Sequence, residues 1–305
     1  MKKKYFFIIA IVFSYLAGNS QHYSLQSQYM FNGLLINPGY AGSTNCLDLT
    51  VSHRRQWTGL SQSPVTSGIA FHSPVKSDKI AMGIVFTDDR IGVTTKQNLN
   101  AVYCYRLKLG ESSVGLGIQA GLEFGRANWE KLIRNDAEDA VLQSLSGSSM
   151  DFTTGTGVYF QHKKINAGIS LPYLLNTSTN KGFLSGPTLI YGGYNFFLAD
   201  SSVIKSSLLF RTVKGSPAQV DLNAIFSWKQ KYGVGVSYRH KESVIALLEF
   251  NLKKQFRLCY SYDFGIGDLK KYNNGSHEIT LRYLISGAGE KMKEKNSGET
   301  KTGGE

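Results

Sequence analysis

The six histidines are the first place to look for chemistry, and His22, His53, His72, His162, His240 and His277 offer none. No pair has the spacing of a helical zinc motif. Cys46, Cys104 and Cys259 are widely separated and odd in number, so they give neither a metal-ligand spacing nor a disulfide framework. Serines are plentiful, but none sits in a nucleophile elbow. Gly115, Gly117 and Gly121 lie in an alternating stretch with no helix after it, so they do not make a phosphate-cradling loop. Asp88 and Asp89 stand among turn-forming residues. The chain therefore reads as one without a catalytic site, cofactor or metal.

Residues suited to binding collect in one stretch. Gln26 to Gly42 is apolar yet has no clean period, and Asn37-Pro38-Gly39 inside it is a turn signal. Its anchors would be Tyr29, Phe31, Leu34, Leu35, Ile36 and Tyr40, with Asn32, Asn37 and Pro38 shaping the backbone. Arg54, Arg55 and Trp57 follow shortly after. Trp129 opens a run to Leu145 with apolar residues at near-helical spacing. It reads as a helical excursion that either packs on its own rim or meets a partner.

The elements that must position these residues have a period of two. Val114, Leu116, Ile118, Ala120, Leu122 and Phe124 alternate with Gly115, Gly117, Gln119, Gly121 and Glu123. The rhythm returns at Ile80–Phe86, Tyr232–Tyr238, Phe256–Phe264 and Ile279–Ile285. Such alternation gives one apolar and one wet face. The wet face is mostly Gly, Ser, Thr and Asn, which suits a polar lumen better than the outside of a sandwich. Strands are expected near 47–57, 66–73, 79–88, 96–109, 112–125, 151–163, 164–171, 187–199, 202–213, 217–229, 230–240, 243–252, 254–264 and 275–285. Tight turns at Gly110-Glu111, Asp200-Ser201 and Lys253 alternate with longer loops at 58–65, 89–95, 126–150, 172–186 and 265–274. The fold expected is all-β, a transmembrane up-and-down antiparallel barrel of about fourteen strands over residues 47–285, with short turns on the periplasmic side.

In that frame the opening stretch, within a periplasmic segment 21–46, has two uses that stay open. It plugs or floors the barrel, or it docks on another protein. Arg54 and Arg55 would pair with lumen carboxylates or with a partner, and Trp57 would belong to an interfacial aromatic belt.

Met1-Lys2-Lys3-Lys4, an apolar run to Ala17 and small Gly18 and Ser20 before Gln21 form the pattern of a secretory signal over residues 1–20. The apolar run falls short of the roughly 20 residues that a membrane helix needs. Apolar residues make up 42% of the chain and charged ones 18%, with 17 Tyr and 17 Phe, a composition too polar for a helical membrane protein. The net charge of +12 is spread over turns and strand ends. Together with export, this excludes nucleic acid as a partner and leaves outer-membrane lipids. Residues 286–305 form a polar tail expected to be disordered.

The segments Gln28-Tyr29-Met30-Phe31-Asn32, Leu35-Ile36-Asn37-Pro38-Gly39-Tyr40-Ala41-Gly42 and Arg54-Arg55-Gln56-Trp57-Thr58-Gly59 closely resemble the opening of the PorP/SprF family of type IX secretion membrane proteins. Thr87–Gly92 and Tyr103–Leu107 are similar to it more diffusely. Gly33 and Gly39 depart from the pattern, where the family often has Pro and Ala, and both would loosen the local backbone. The resemblance implies an outer-membrane barrel of the Bacteroidetes associated with type IX secretion and gliding motility. It implies no enzyme. It implies as partners a large adhesin-like substrate with a C-terminal sorting domain and other secretion components. A small-solute channel is the alternative.

Overall fold

The computed structural model describes residues 26–76, 79–128, 147–177, 186–213, 216–253 and 255–285. The expected signal segment, Trp129 with its helical excursion, and the polar tail lie outside them.

Fourteen strands follow in order: β1 Leu47–Arg55, β2 Val65–Lys76, β3 Ile80–Ile91, β4 Thr94–Leu109, β5 Ser112–Ala127, β6 Gly147–Gln161, β7 Ile165–Asn176, β8 Thr188–Phe197, β9 Val203–Thr212, β10 Gln219–Trp228, β11 Tyr232–Arg239, β12 Ser243–Lys253, β13 Phe256–Gly265 and β14 Ser276–Ile285. Each pairs antiparallel with the next, and β1 pairs with β14, so the sheet is a closed barrel. The seam runs from Leu47 opposite Ile285 to Arg55 opposite His277. Closure leaves no edge strand, so no row of backbone groups is left open to lipid.

The alternation divides the wall as the sequence predicts. On β11, Tyr232, Val234, Val236 and Tyr238 face outward, while Gly233, Ser237 and Arg239 are buried inside. On β1, Asp48, Thr50, Ser52 and Arg54 point into the lumen. The outer surface is an apolar band with aromatic residues near both ends. Trp228 stacks on Tyr232 toward one rim, and Tyr262 meets Phe264 edge-on toward the other. Aromatic girdles flanking an apolar band mark a bilayer-spanning barrel.

The two rims differ. At the end holding Leu47 and Ile285, every connection is short, with Gly110 at φ +60° in the tight turn between β4 and β5. The opposite rim carries the loops 56–64, 128–146, 177–187 and 266–275. One expected long loop is absent: β3 and β4 extend to Ile91 and Thr94 and turn through 92–93, with Gly92 at φ +60°. Thr, Gln and Lys in 94–97 keep pairing beyond the apolar band, because ladder bonds do not need a lipid-facing side chain.

A charge at mid-band should be costly. Val236→Arg is expected to lower the free energy of unfolding from phospholipid vesicles by about 2–4 kcal/mol, read as a fall in the urea midpoint.

Candidate functional site: a lumen filled by the N-terminal segment

Residues 26–46 lie within the lumen rather than beneath the barrel. The segment folds as three single 3-10 turns, Tyr29–Phe31, Gly33–Leu35 and Pro38–Tyr40. Asn37 caps the third by accepting the Gly39 N–H at 2.8 Å, with Pro38 in the first helical position. The Asn37 side-chain amide then donates to the Val158 carbonyl at 2.9 Å. Ser170 donates its hydroxyl to the Ile36 carbonyl at 2.5 Å.

This turn sits against a patch of bare wall. A Cβ on Gly115 or Gly117 would fall on the Pro38–Gly39 backbone, and one on Gly157 would fall on the Asn37 side chain. Gly39 itself has no room for a Cβ, which would lie 2.7 Å from the Gly115 carbonyl and 2.9 Å from that of Gly157. The glycines on β5 and β6 thus form a seat, and Gly39 serves close approach of two backbones rather than loosening.

Three apolar clusters hold the segment to the wall around it. Leu34 and Ala41 pack with Ala70, Ala81, Val85, Val102 and Cys104 on β2 to β4. Tyr29 and Ile36 pack with Leu189 and Leu209 on β8 and β9. Phe31 packs with Ile225, Ile245, Leu247 and Cys259 on β10, β12 and β13. Tyr29, Phe31, Leu34 and Ile36 are all at most 5% exposed, so the segment is a packed plug. Its Tyr29 phenol oxygen accepts from Asn223, and burial, followed by the nearby Asp221, pushes that phenol well above its ordinary pKa.

The polar contacts concentrate at the seam. Glu278 on β14 accepts the backbone N–H groups of Ser27 at 2.6 Å and Gln28 at 3.0 Å. Arg54 on β1 reaches Asp263 on β13 at 2.7 Å, Glu278 at 3.1 Å and the Ser27 hydroxyl at 2.6 Å. Nearer the other rim Arg282 pairs with Asp48 and donates to the Tyr40 hydroxyl at 3.0 Å. His72 lies 3.3 Å from Asp48 and accepts the Gly42 N–H at 3.2 Å. Arg106 donates to the Ala41 carbonyl at 3.3 Å.

The structure therefore brings together Tyr29, Phe31, Asn32, Asn37, Pro38, Tyr40 and Arg54. It separates two others from them. Arg55 points outward at the rim and does not join the lumen carboxylates, because neighbours on a strand face opposite sides. Trp57 sits half-buried in the loop after β1, at φ +49°, with its N–H on Ser276 at 3.1 Å. Residues the sequence reading passes over are the glycine seat and the wall side of the clusters. A signal for the latter exists: Val244-Ile-Ala-Leu-Leu248 and Leu208-Leu-Phe210 are apolar at successive positions, which marks lumen-facing residues covered by something dry. Among the described residues, no group of three His, Cys, Asp or Glu can hold a metal ion.

Arg54 and Arg55 give a contrast in adjacent residues. Arg54→Met leaves Asp263 and Glu278 buried without their cation and should cost about 3–5 kcal/mol. Arg55→Met should change stability by less than about 0.5 kcal/mol. Urea titrations of the two variants in vesicles check this.

Among solved structures the chain is similar to the outer membrane protein Omp33 of Acinetobacter baumannii, at 6% identity and TM-score 0.47 over 79% of this chain and 98% of that one. It is similar to the KdgM porin at 8% identity and TM-score 0.41, over 78% and 99% of the two chains. The outer membrane phospholipase A of Escherichia coli shares 11% identity at TM-score 0.40, over 81% and 98%. No curated protein matches the sequence. The model of the type IX secretion system membrane proteins PorP/SprF matches residues 18–283, which takes in both the plug and nearly the whole barrel, and the chain belongs to that family.

Proposed function

We propose that this protein is a non-enzymatic accessory barrel of the outer membrane, reached by signal-directed export, that supports secretion or surface attachment of a large adhesin-like protein. Family membership supports a place in type IX secretion. The observation that favours an accessory role over a solute channel is the plug. Tyr29, Phe31, Leu34 and Ile36 pack into clusters around the lumen, and Gly39 abuts the wall without a gap. A selective pore needs a wetted path with exchangeable sites, whereas this cross-section is occupied by close-packed side chains. A substrate with a C-terminal sorting domain, met at the long-loop rim, is the partner proposed.

Deletion of the gene followed by surface and medium proteomics tests the role. The expected result is that one large protein with a C-terminal sorting domain leaves the surface and returns on complementation. An unchanged proteome together with slowed uptake of a small solute would overturn the proposal in favour of a channel. Planar-bilayer recording of the purified barrel adds an independent check, with no steady conductance expected.

A further inference from the structure

Below the plug, toward the rim of short turns, the lumen opens into a chamber of about 1140 Å³. Its roof is the plug, lined by the edges of Phe31 and Tyr40, and its mouth lies at the turn 229–231. The charges that line it are all positive: Lys205, Arg257, Arg282, Lys229 and Lys231. Two buried carboxylates set behind the inner three hold them in place. Glu249 lies 2.9 Å from Lys205 and 3.2 Å from Arg257, and Asp48 pairs with Arg282. Two carboxylates against three guanidinium or ammonium groups leave the wall positive, and the two lysines at the mouth add to it. Gln230 stands among the cations with a side chain able to bond to amides, while Asn251 is taken up by Glu249, Arg257 and the Gln230 carbonyl.

The topology extends this charge around the rim. Among the described residues, Lys79, Lys108, Lys163, Lys164, Lys229 and Lys231 all stand exposed in or beside the short turns, against Glu111 and Asp200. These six lysines, drawn from turns distant from one another in sequence, meet at one end because every second connection of an up-and-down barrel returns there.

We infer that this chamber is a binding site for an acidic, extended peptide segment presented at the short-turn rim. Its volume lies above the range of about 300–1,000 Å³ usual for small-molecule pockets. Lys205, Arg257 and Arg282 face inward beneath the plug rather than outward to lipid, so a headgroup on the barrel exterior would not meet them. The Gln230 side chain beside the charges offers an amide partner to a peptide backbone, which a simple ion would not use. A cavity lined by one sign of charge with low-dielectric walls also focuses the field on an incoming anionic chain. The inference goes beyond the proposed secretion role: it concerns the opposite end of the barrel and is read on the purified protein.

The test uses the full chain in discs of neutral lipid and an acetylated ten-residue Glu/Ser peptide carrying an uncharged dye. Fluorescence anisotropy should show saturable binding that weakens steeply with salt, and a Lys/Ser peptide of equal length should not bind. The triple variant Lys229→Gln, Lys231→Gln, Arg257→Gln should weaken binding at least about tenfold. Arg257→Lys should retain it, and Lys79→Gln with Lys164→Gln should leave it within about twofold. The heat-modifiable gel shift of a folded barrel confirms that each variant is intact. No saturable binding would overturn the inference, as would equal losses in the triple and the control variants. So would anionic lipid, retained through native mass spectrometry by the same three residues, in place of peptide.

Discussion

Arg54 and the two carboxylates it meets sit where the barrel has to be joined. The guanidinium starts on the first strand and reaches Asp263 and Glu278 on the last two, across the seam between β1 and β14. That seam is the most expensive contact in the fold, since it brings Leu47 to Ile285 and closes nearly the whole chain into a loop. It is also obligatory, because an open edge in hydrocarbon would strand a row of backbone donors and acceptors. Glu278 then accepts two N–H groups from the plug, at Ser27 and Gln28. Near the other rim Asp48 on β1 and Arg282 on β14 repeat the device, with Tyr40 and Gly42 of the plug attached through Arg282 and His72. The plug and the seam are thus held by the same buried charges. Neither cluster would be well satisfied without the other part in place.

This coupling explains why the plug enters the lumen where it does. Its first described residues bind near the long-loop rim, at Ser52, Ser261 and Glu278, and the chain then descends past the glycine seat to begin β1 at the opposite rim. The segment and β1 therefore run in opposite directions along one side of the lumen. A buried ion group is weak evidence for stability on its own, since desolvation offsets most of the attraction. Here its value is in register. A one-residue slip of β14 against β1 would turn Glu278 and Arg282 out toward lipid, taking Glu278 from Arg54 and Arg282 from Asp48.

Much of this was legible in the residues, and unevenly so. Fourteen strands were expected and fourteen are found, and the period of two marks β3, β5, β11, β13 and β14 most plainly, because a wall with lipid on one side and polar side chains on the other must alternate. Tyr29, Phe31, Leu34 and Ile36 stood out as anchors because a non-periodic apolar stretch cannot belong to such a wall. Strand ends were less legible. Thr94 to Gln97 read as loop, since the pattern that identifies a strand ends with the apolar band while pairing continues past it. The glycine seat was out of reach. Gly115 and Gly117 look like any polar-face residues until Pro38 is known to lie on them, more than 70 positions away in sequence. Arg54 and Arg55 could be ranked by parity alone once β1 was fixed. Which carboxylates Arg54 meets depended on closure.

The same closure separates the two ends into different environments. Loops of variable length occupy the rim opposite Leu47 and Ile285, and a strand pair can lengthen there, as β3 and β4 do, without disturbing the seam. The other rim has short turns only, with left-handed residues at Gly110, Lys229 and Gln230. Short turns must place polar residues just beyond the apolar band, and here those residues are mostly lysines. Between the two ends the segment packs on the wall at three apolar clusters, so that whatever meets the long loops and whatever meets the basic chamber do so on different sides of it. Any signal from one to the other would have to pass through the plug, and its route is given by the contacts: from Ser27 and Gln28 at one level, through the Asn37–Gly39 turn in its seat, to Tyr40 and Arg282 at the roof of the chamber. Because the turn has no slack against Gly115 and Gly157, a shift at either level moves the segment as a unit or not at all.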